Sequence, residues 1–83
     1  MMERHAMTDI QSPLPGTFYF TPSPGEPQFK NSGDAVSEGD VIGLVEVMKT
    51  FVEVKATASG IFDSYVIGNE QPVQAGQTIA KLT

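Results

Sequence analysis

Three side chains able to do chemistry sit within the stretch LVEVMKTFVEV, residues 44–54: the carboxylates of Glu46 and Glu53 and the amine of Lys49. Two carboxylates can form a general acid–base pair when a pocket raises the pKa of one of them. As two strands and a turn, the stretch puts both glutamates on one strand face beside Phe51 with no evident pocket, which makes them strand surface. Lys49 would be a nucleophile only if burial lowered its pKa, and a tight turn does not bury it. A lysine on a protruding tip is suited to another role: accepting a covalent group from a second enzyme that supplies the activated substrate and removes the proton. A solvated turn lysine without a role is the plainer alternative, and hairpin logic alone leaves it open. Lys30, Lys55 and Lys81 lie within or beside strand-like runs and would present an arm less freely.

Other chemistries lack their residues. No HExxH, Walker loop or GxGxxG following a strand is present. His5 is the one histidine and lies in the polar opening, and there is no cysteine, so neither a histidine-assisted nucleophile nor a thiolate metal site is expected. Asp34, Glu38 and Asp40 cluster around Gly33 and Gly39 without the spacing of a calcium loop, and read as a solvated, charged turn. No metal is expected, and the chain does not read as an enzyme by itself. Ten acids against five bases, a formal charge of -5, disfavour nucleic acid and anionic membrane surfaces, both of which recruit Lys and Arg. The longest apolar run, Val41 to Val45, includes a glycine, so no transmembrane helix is expected, and nothing resembles a signal peptide. The lack of cysteine fits the cytoplasm.

The elements that position Lys49 follow from the period of the apolar residues. Eighty-three residues make one domain at most, with a core small enough to require economy. Residues 1–9, MMERHAMTD, show no strand period and read as a disordered lead-in, leaving residues 10–83 as the domain. Short β-type runs separated by turn residues follow at Ile10–Ser12, Gly16–Phe20, Phe29–Lys30, Val36, Val41–Val47, Thr50–Lys55, Gly60–Ile67 and Thr78–Leu82. No window shows a convincing helical period. The expected class is all-β.

An internal repeat organises these runs. AVSEGDVIGLV (35–45) matches PVQAGQTIAKL (72–82), with Val36 on Val73, Gly39 on Gly76 and Ile42 on Ile79; PGTF (15–18) matches SGIF (59–62). The offsets are 37 and 44, so the first half holds 44 − 37 = 7 extra residues. They fall at TPSPGEPQF, Thr21 to Phe29, where Pro22, Pro24 and Pro27 forbid a central strand. This segment is expected to protrude as a stiff loop, its prolines reducing the entropy lost on ordering; an ordinary Pro-rich turn is the alternative.

Pairing across a two-residue turn at Met48-Lys49 sets Val47 against Thr50, Glu46 against Phe51, Val45 against Val52, Leu44 against Glu53 and Gly43 against Val54. One face then carries Val45, Val47, Thr50, Val52 and Val54, and the other Leu44, Glu46, Phe51 and Glu53. A one-residue slip scrambles that separation, so the pattern itself puts Met48 and Lys49 at the tip. Two-residue hairpins favour positive φ at both central residues, which Gly and Asn accept most easily. Met-Lys breaks that local rule inside an otherwise consistent hairpin, and such breaks are where function is expected.

These residues resemble a known family. VEVMKT resembles the attachment motif of biotinyl domains, commonly Glu-Ala-Met-Lys-Met; GTFYFTPSPGEPQF resembles the segment that enters and forms a protruding thumb in bacterial acetyl-CoA carboxylase carriers; SGIFDSYVIGNEQPVQAGQTI resembles the segment after the attachment lysine. The resemblance spans roughly Ser12 to Thr83. It implies a flattened barrel-sandwich of two four-stranded antiparallel sheets with quasi-twofold symmetry and a protruding Pro-rich thumb loop. It implies biotin attached covalently to Lys49 by a biotin protein ligase that reads Met48, Glu46 and Thr50. It further implies carriage of a carboxyl group between a biotin carboxylase and a carboxyltransferase acting on an acyl-CoA, with the thumb residues Thr21, Pro22, Ser23, Pro24, Gly25, Glu26, Pro27 and Gln28 close to the cofactor. Val47 and Thr50 depart from the usual Ala and second Met, though both remain β-branched like their neighbours. A lipoyl carrier domain shares the architecture but typically has Asp before its lysine, where this chain has Met48. An unmodified docking module would not need Met-Lys at a strained tip.

Overall fold

The computed structural model describes residues 8–83, and every regular element is a strand: β1 (Thr8–Gln11), β2 (Gly16–Tyr19), β3 (Ala35–Val36), β4 (Val41–Val47), β5 (Thr50–Lys55), β6 (Gly60–Tyr65), β7 (Gln71–Val73) and β8 (Thr78–Leu82). They form two four-stranded antiparallel sheets, ordered β1-β8-β6-β3 and β5-β4-β2-β7. Replacing each strand of the first sheet by its mate in the other half of the chain (β1 by β5, β8 by β4, β6 by β2, β3 by β7) reproduces the second order. The sequence repeat is thus a quasi-twofold axis relating the two sheets.

The core obeys the same axis. Phe18 and Phe62, Val36 and Val73, Ile42 and Ile79, Val45 and Leu82, and Ile10 and Val54 are all buried, and each pair is separated by one of the two repeat offsets. Turn hydrogen bonds repeat too. Gly39 donates to the Ala56 carbonyl and Gly76 to that of Ser12, both at 2.8 Å, and both glycines hold positive φ, 95° and 84°. Glycine is needed there because a β-carbon crowds its own backbone in that region. Gly43 is glycine for a different reason: a β-carbon on it would collide with the Phe18 ring.

The strand boundaries differ from the sequence reading chiefly in three places; in addition β1 stops at Gln11 rather than Ser12, β2 at Tyr19 rather than Phe20 and β6 at Tyr65 rather than Ile67. Phe29–Lys30 is not a strand: the Phe29 N–H donates to the Phe20 carbonyl at 2.9 Å, but the Lys30 N–H turns to the Tyr65 hydroxyl, 3.3 Å away, so no ladder continues. Gln71–Val73 is a strand although it contains Pro72. It is the edge strand of its sheet, where a missing N–H can face away from the ladder. β1 begins at Thr8, ahead of the expected Ile10, because Thr8 pairs with Leu82 and Asp9 with Lys81, the latter also through a 3.4 Å ion pair. The rest of the expected lead-in, residues 1–7, lies outside the described residues.

Candidate functional site

The β4–β5 hairpin has the expected register, from Val47 opposite Thr50 down to Gly43 opposite Val54, with a bulge between Val41 and Gly43. Met48 and Lys49 form the tip, with φ of 51° and 67°. Both residues therefore sit in the left-handed region without the help of Gly or Asn, which costs roughly 1–2 kcal/mol each. The ladder beneath over-determines the turn, because slipping it would expose Val45 and Val54, both buried. The inner face thins toward the tip: Val45 is buried, Val47 half-buried and Thr50 exposed. Met48 is 93% exposed, and Lys49 is exposed beside it. The tip thus projects beyond the core.

The four lysines divide clearly. Lys30 pairs with Asp40 at 3.4 Å, Lys81 with Asp9 at 3.4 Å, and Lys55 lies 3.9 Å from Glu53. Among the described residues Lys49 has no ion pair. Asp40 does more than pair: it accepts the Ser37 backbone N–H at 2.9 Å, and chiefly this bond, with Lys30 adding, holds its carboxyl below the usual range. Asp34 likewise accepts the Asn31 N–H at 2.8 Å, so both acids cap turns rather than converge on an ion. Among the described residues no group of three or more His, Cys, Asp or Glu side chains is arranged to hold a metal. Among the described residues no helix is long and apolar enough to cross a membrane.

Beside the tip the structure corrects the sequence reading, which saw no pocket near Glu46. A groove of about 330 Å³ runs along the outer face of the hairpin, lined by Tyr19, Thr21, Pro22, Ser23, Pro24, Leu44, Phe51 and Glu70. Glu46 is not in it. Its carboxylate accepts the Tyr19 hydroxyl at 2.8 Å, and this bond is the main reason the Tyr19 phenol titrates above its ordinary value. The Tyr19 ring also lies against Phe51, centroids 5.8 Å apart. Tyr19, Leu44, Phe51 and Glu70 were missed because they meet only when β2 lies beside β4, with Tyr19 opposite Leu44. The available signal was the two apolar residues, Leu44 and Phe51, on a face otherwise made of glutamates.

The Pro-rich loop forms the opposite wall of the groove with half of its residues. Thr21, Pro22, Ser23 and Pro24 line it; Gly25, Glu26, Pro27 and Gln28 do not. Glu26 donates to the Ser23 carbonyl at 3.1 Å and Gly25 holds a φ of 83°, so the loop reverses at this point. Pro22 through Pro27 are exposed, as expected of a protrusion. Its root is fastened at both ends. The Phe20 N–H donates to the Asn69 side-chain oxygen at 2.8 Å, Phe29 bonds back to Phe20, and Gln28 donates from its amide to the Lys30 carbonyl at 2.8 Å.

Comparison with known proteins adds a consistent set of findings. A family model described as biotin-requiring enzyme, the biotin/lipoyl model, matches residues 8–82. A Chlamydia trachomatis protein named biotin carboxyl carrier protein of acetyl-CoA carboxylase is 48% identical over 73 residues, covering 88% of this chain and 44% of that protein. A protein of the same name from a Nostoc species is 33% identical over 76 residues, 92% of this chain and 42% of that one. The chain spans less than half the length of these relatives. Among solved structures, the urea carboxylase of Kluyveromyces lactis matches with a TM-score of 0.76 and 26% identity over 100% of this chain and 7% of that one.

Proposed function

The chain belongs to the biotin/lipoyl family of biotin-requiring enzymes, and on that premise we propose that it is a biotin carboxyl carrier with Lys49 as the attachment residue. It receives biotin from a biotin protein ligase. It then moves between a biotin carboxylase and a carboxyltransferase acting on acetyl-CoA or a related acyl-CoA, within the cytoplasm, and catalyses no step itself. The names of the Chlamydia and Nostoc relatives support the acetyl-CoA assignment. The observation that carries the reading is the tip: an exposed lysine without an ion partner among the described residues, held with Met48 at positive φ by a ladder that leaves no other register.

The residues fit the cofactor. Lys49 offers a solvent-exposed amine, and the groove that includes Phe51, two residues along β5, is at the lower end of the roughly 300–1,000 Å³ typical of small-molecule clefts. In the attachment step the Lys49 Nζ attacks the acyl carbon of an ATP-activated biotinyl-adenylate; an amide forms, AMP leaves, and the ligase takes the proton. Met48 and the carboxylate of Glu46, oriented by Tyr19, lie on the surface a ligase would meet, with Thr50 on the far side of the turn. When bound, biotin supplies a ureido nitrogen able to hold a carboxyl group. Leu44, Phe51 and the Thr21–Pro24 wall provide an apolar surface against which such a ring could shed water. Tethering by a long flexible arm raises effective concentration at two enzymes in turn without tight docking.

Co-expression with an active biotin ligase is expected to add one biotin, on Lys49, read by intact-mass and peptide mass spectrometry. Lys49→Arg is expected to remove it completely. A lipoyl adduct, or no adduct, would overturn the proposal.

A further inference from the structure

The two halves solve the same bonding problem differently at Ile42 and its mate Ile79. Both side chains are fully buried. The Ile79 carbonyl accepts the Val66 backbone N–H at 2.9 Å, because the chain beyond β6 still runs alongside β8. In the first half β2 ends at Tyr19, where the chain leaves for the Pro-rich loop, and Ile42 sits in the β4 bulge without a register partner in β5 or β2. Its carbonyl is met by a side chain from the opposite sheet: the Tyr65 hydroxyl donates to it at 2.7 Å.

The same hydroxyl accepts the Lys30 backbone N–H at 3.3 Å, just past the loop's exit. The Tyr65 ring stacks on Phe20 at the loop's entrance, centroids 4.5 Å apart and planes 26° from parallel, and packs on Phe62 at 4.7 Å. One side chain thereby touches the entrance of the loop, its exit and the arm of the hairpin that ends in Lys49. Burial pushes the phenol up to about 12, so it remains a donor throughout the neutral range.

We propose that Tyr65 is the positioning residue of the Pro-rich loop: its hydroxyl replaces the backbone donor lost where the loop leaves the sheet, and so fastens the loop to the hairpin that carries Lys49. The functional meaning of that coupling rests on the carrier reading above, but the coupling itself does not. Were the hydroxyl absent, the ring could still fill its place in the core. The Ile42 carbonyl and the Lys30 N–H would lose their shared partner, and loop and hairpin would move independently.

The test is amide hydrogen exchange by NMR on the whole, unmodified 83-residue chain, comparing wild type with Tyr65→Phe. The Glu26, Phe29 and Lys30 amides are expected to exchange roughly ten-fold faster, the factor that corresponds to one hydrogen bond of about 1.4 kcal/mol. The Ser12 and Gln77 amides, which donate to the Gln77 and Gln74 carbonyls at the turn before β8, are expected to keep their rates. Tyr19→Phe, which removes a hydroxyl on the other side of the loop, is expected to leave Phe29 and Lys30 unchanged. Uniform acceleration across loop and core would show that Tyr65 contributes general stability only, and unchanged loop amides would show no coupling; either result overturns the proposal. Failure of the wild type to accept biotin would sink the carrier reading while leaving this exchange result to stand by itself.

Discussion

The connection from β2 to β3 and its mate from β6 to β7 leave the same kind of strand and arrive at the same contact by very different routes. The second is short and closes when Glu70 donates to the Phe18 carbonyl at 2.7 Å; the first makes a long excursion through the prolines before Gly33 donates to the Phe62 carbonyl at 2.9 Å. Even the backbone conformation at arrival is shared, with φ of 61° at Glu70 and 95° at Gly33. The scaffold therefore tolerates an insertion wherever both of its ends are anchored, since loop-closure entropy grows only slowly with length. What the insertion disturbs is local: it ends β2 early and leaves the donor to Ile42 to a tyrosine. What it adds is a wall beside Phe51 that closes one side of the groove there; a second groove, of about 310 Å³, lies against β6 and is lined by Phe62, Asp63, Ser64, Tyr65 and Ile67 with Phe20, Gln28 and Ser32.

Three measurements sharpen or break this comparison. The largest effect is expected from emptying the two halves of the core in turn. Phe18→Ala and Phe62→Ala should each cost about 3–5 kcal/mol in chemical denaturation, and near-equal costs would show that the quasi-twofold axis holds energetically as well as in position. A much smaller loss on the Phe18 side would mean that the loop lets that half relax. Next comes the tip, where the halves have no common feature. Replacing Met48-Lys49 by Asn-Gly should raise stability by about 1–2 kcal/mol, because the new pair accepts positive φ more readily, and should abolish biotin loading; a loss of stability would mean that the tip is not strained. The smallest effect on stability is expected from deleting Thr21–Gln28, which makes the first connection resemble the second. Phe20 and Phe29 already meet through a hydrogen bond, so unfolding should shift by no more than about 1 kcal/mol, while carboxyl transfer changes in a coupled assay. Collapse of the fold would show that the loop is structural.

Much of this arrangement was legible beforehand, for identifiable reasons. The hairpin register could be read because one face is entirely β-branched and any slip mixes it with glutamates. The repeat could be read because each half needs a turn glycine, at Gly39 and Gly76, and a buried Phe at the start of a strand. β7 was missed although the repeat pointed to it: Val73 is the mate of Val36, yet Pro72 reads as a strand breaker until the strand is known to be an edge. Phe29–Lys30 reads as a strand because its composition suits one, whereas its N–H groups are claimed by Phe20 and Tyr65.

By itself the sequence determined the class of fold, the twofold repetition, the place of the insertion and the identity of the two tip residues. All of these follow from periodicities and turn chemistry within a few residues of one another. Only the tertiary structure decided that the tip is held at positive φ, that three of the lysines lie in ion pairs while Lys49 has no such partner among the described residues, and that Leu44, Phe51 and Tyr19 face four residues of the loop across a groove. Those outcomes depend on contacts between segments tens of residues apart, such as Tyr65 with Ile42 and Phe20 with Asn69. No local pattern encodes such contacts, because they exist only once two sheets have been pressed face to face around a shared core.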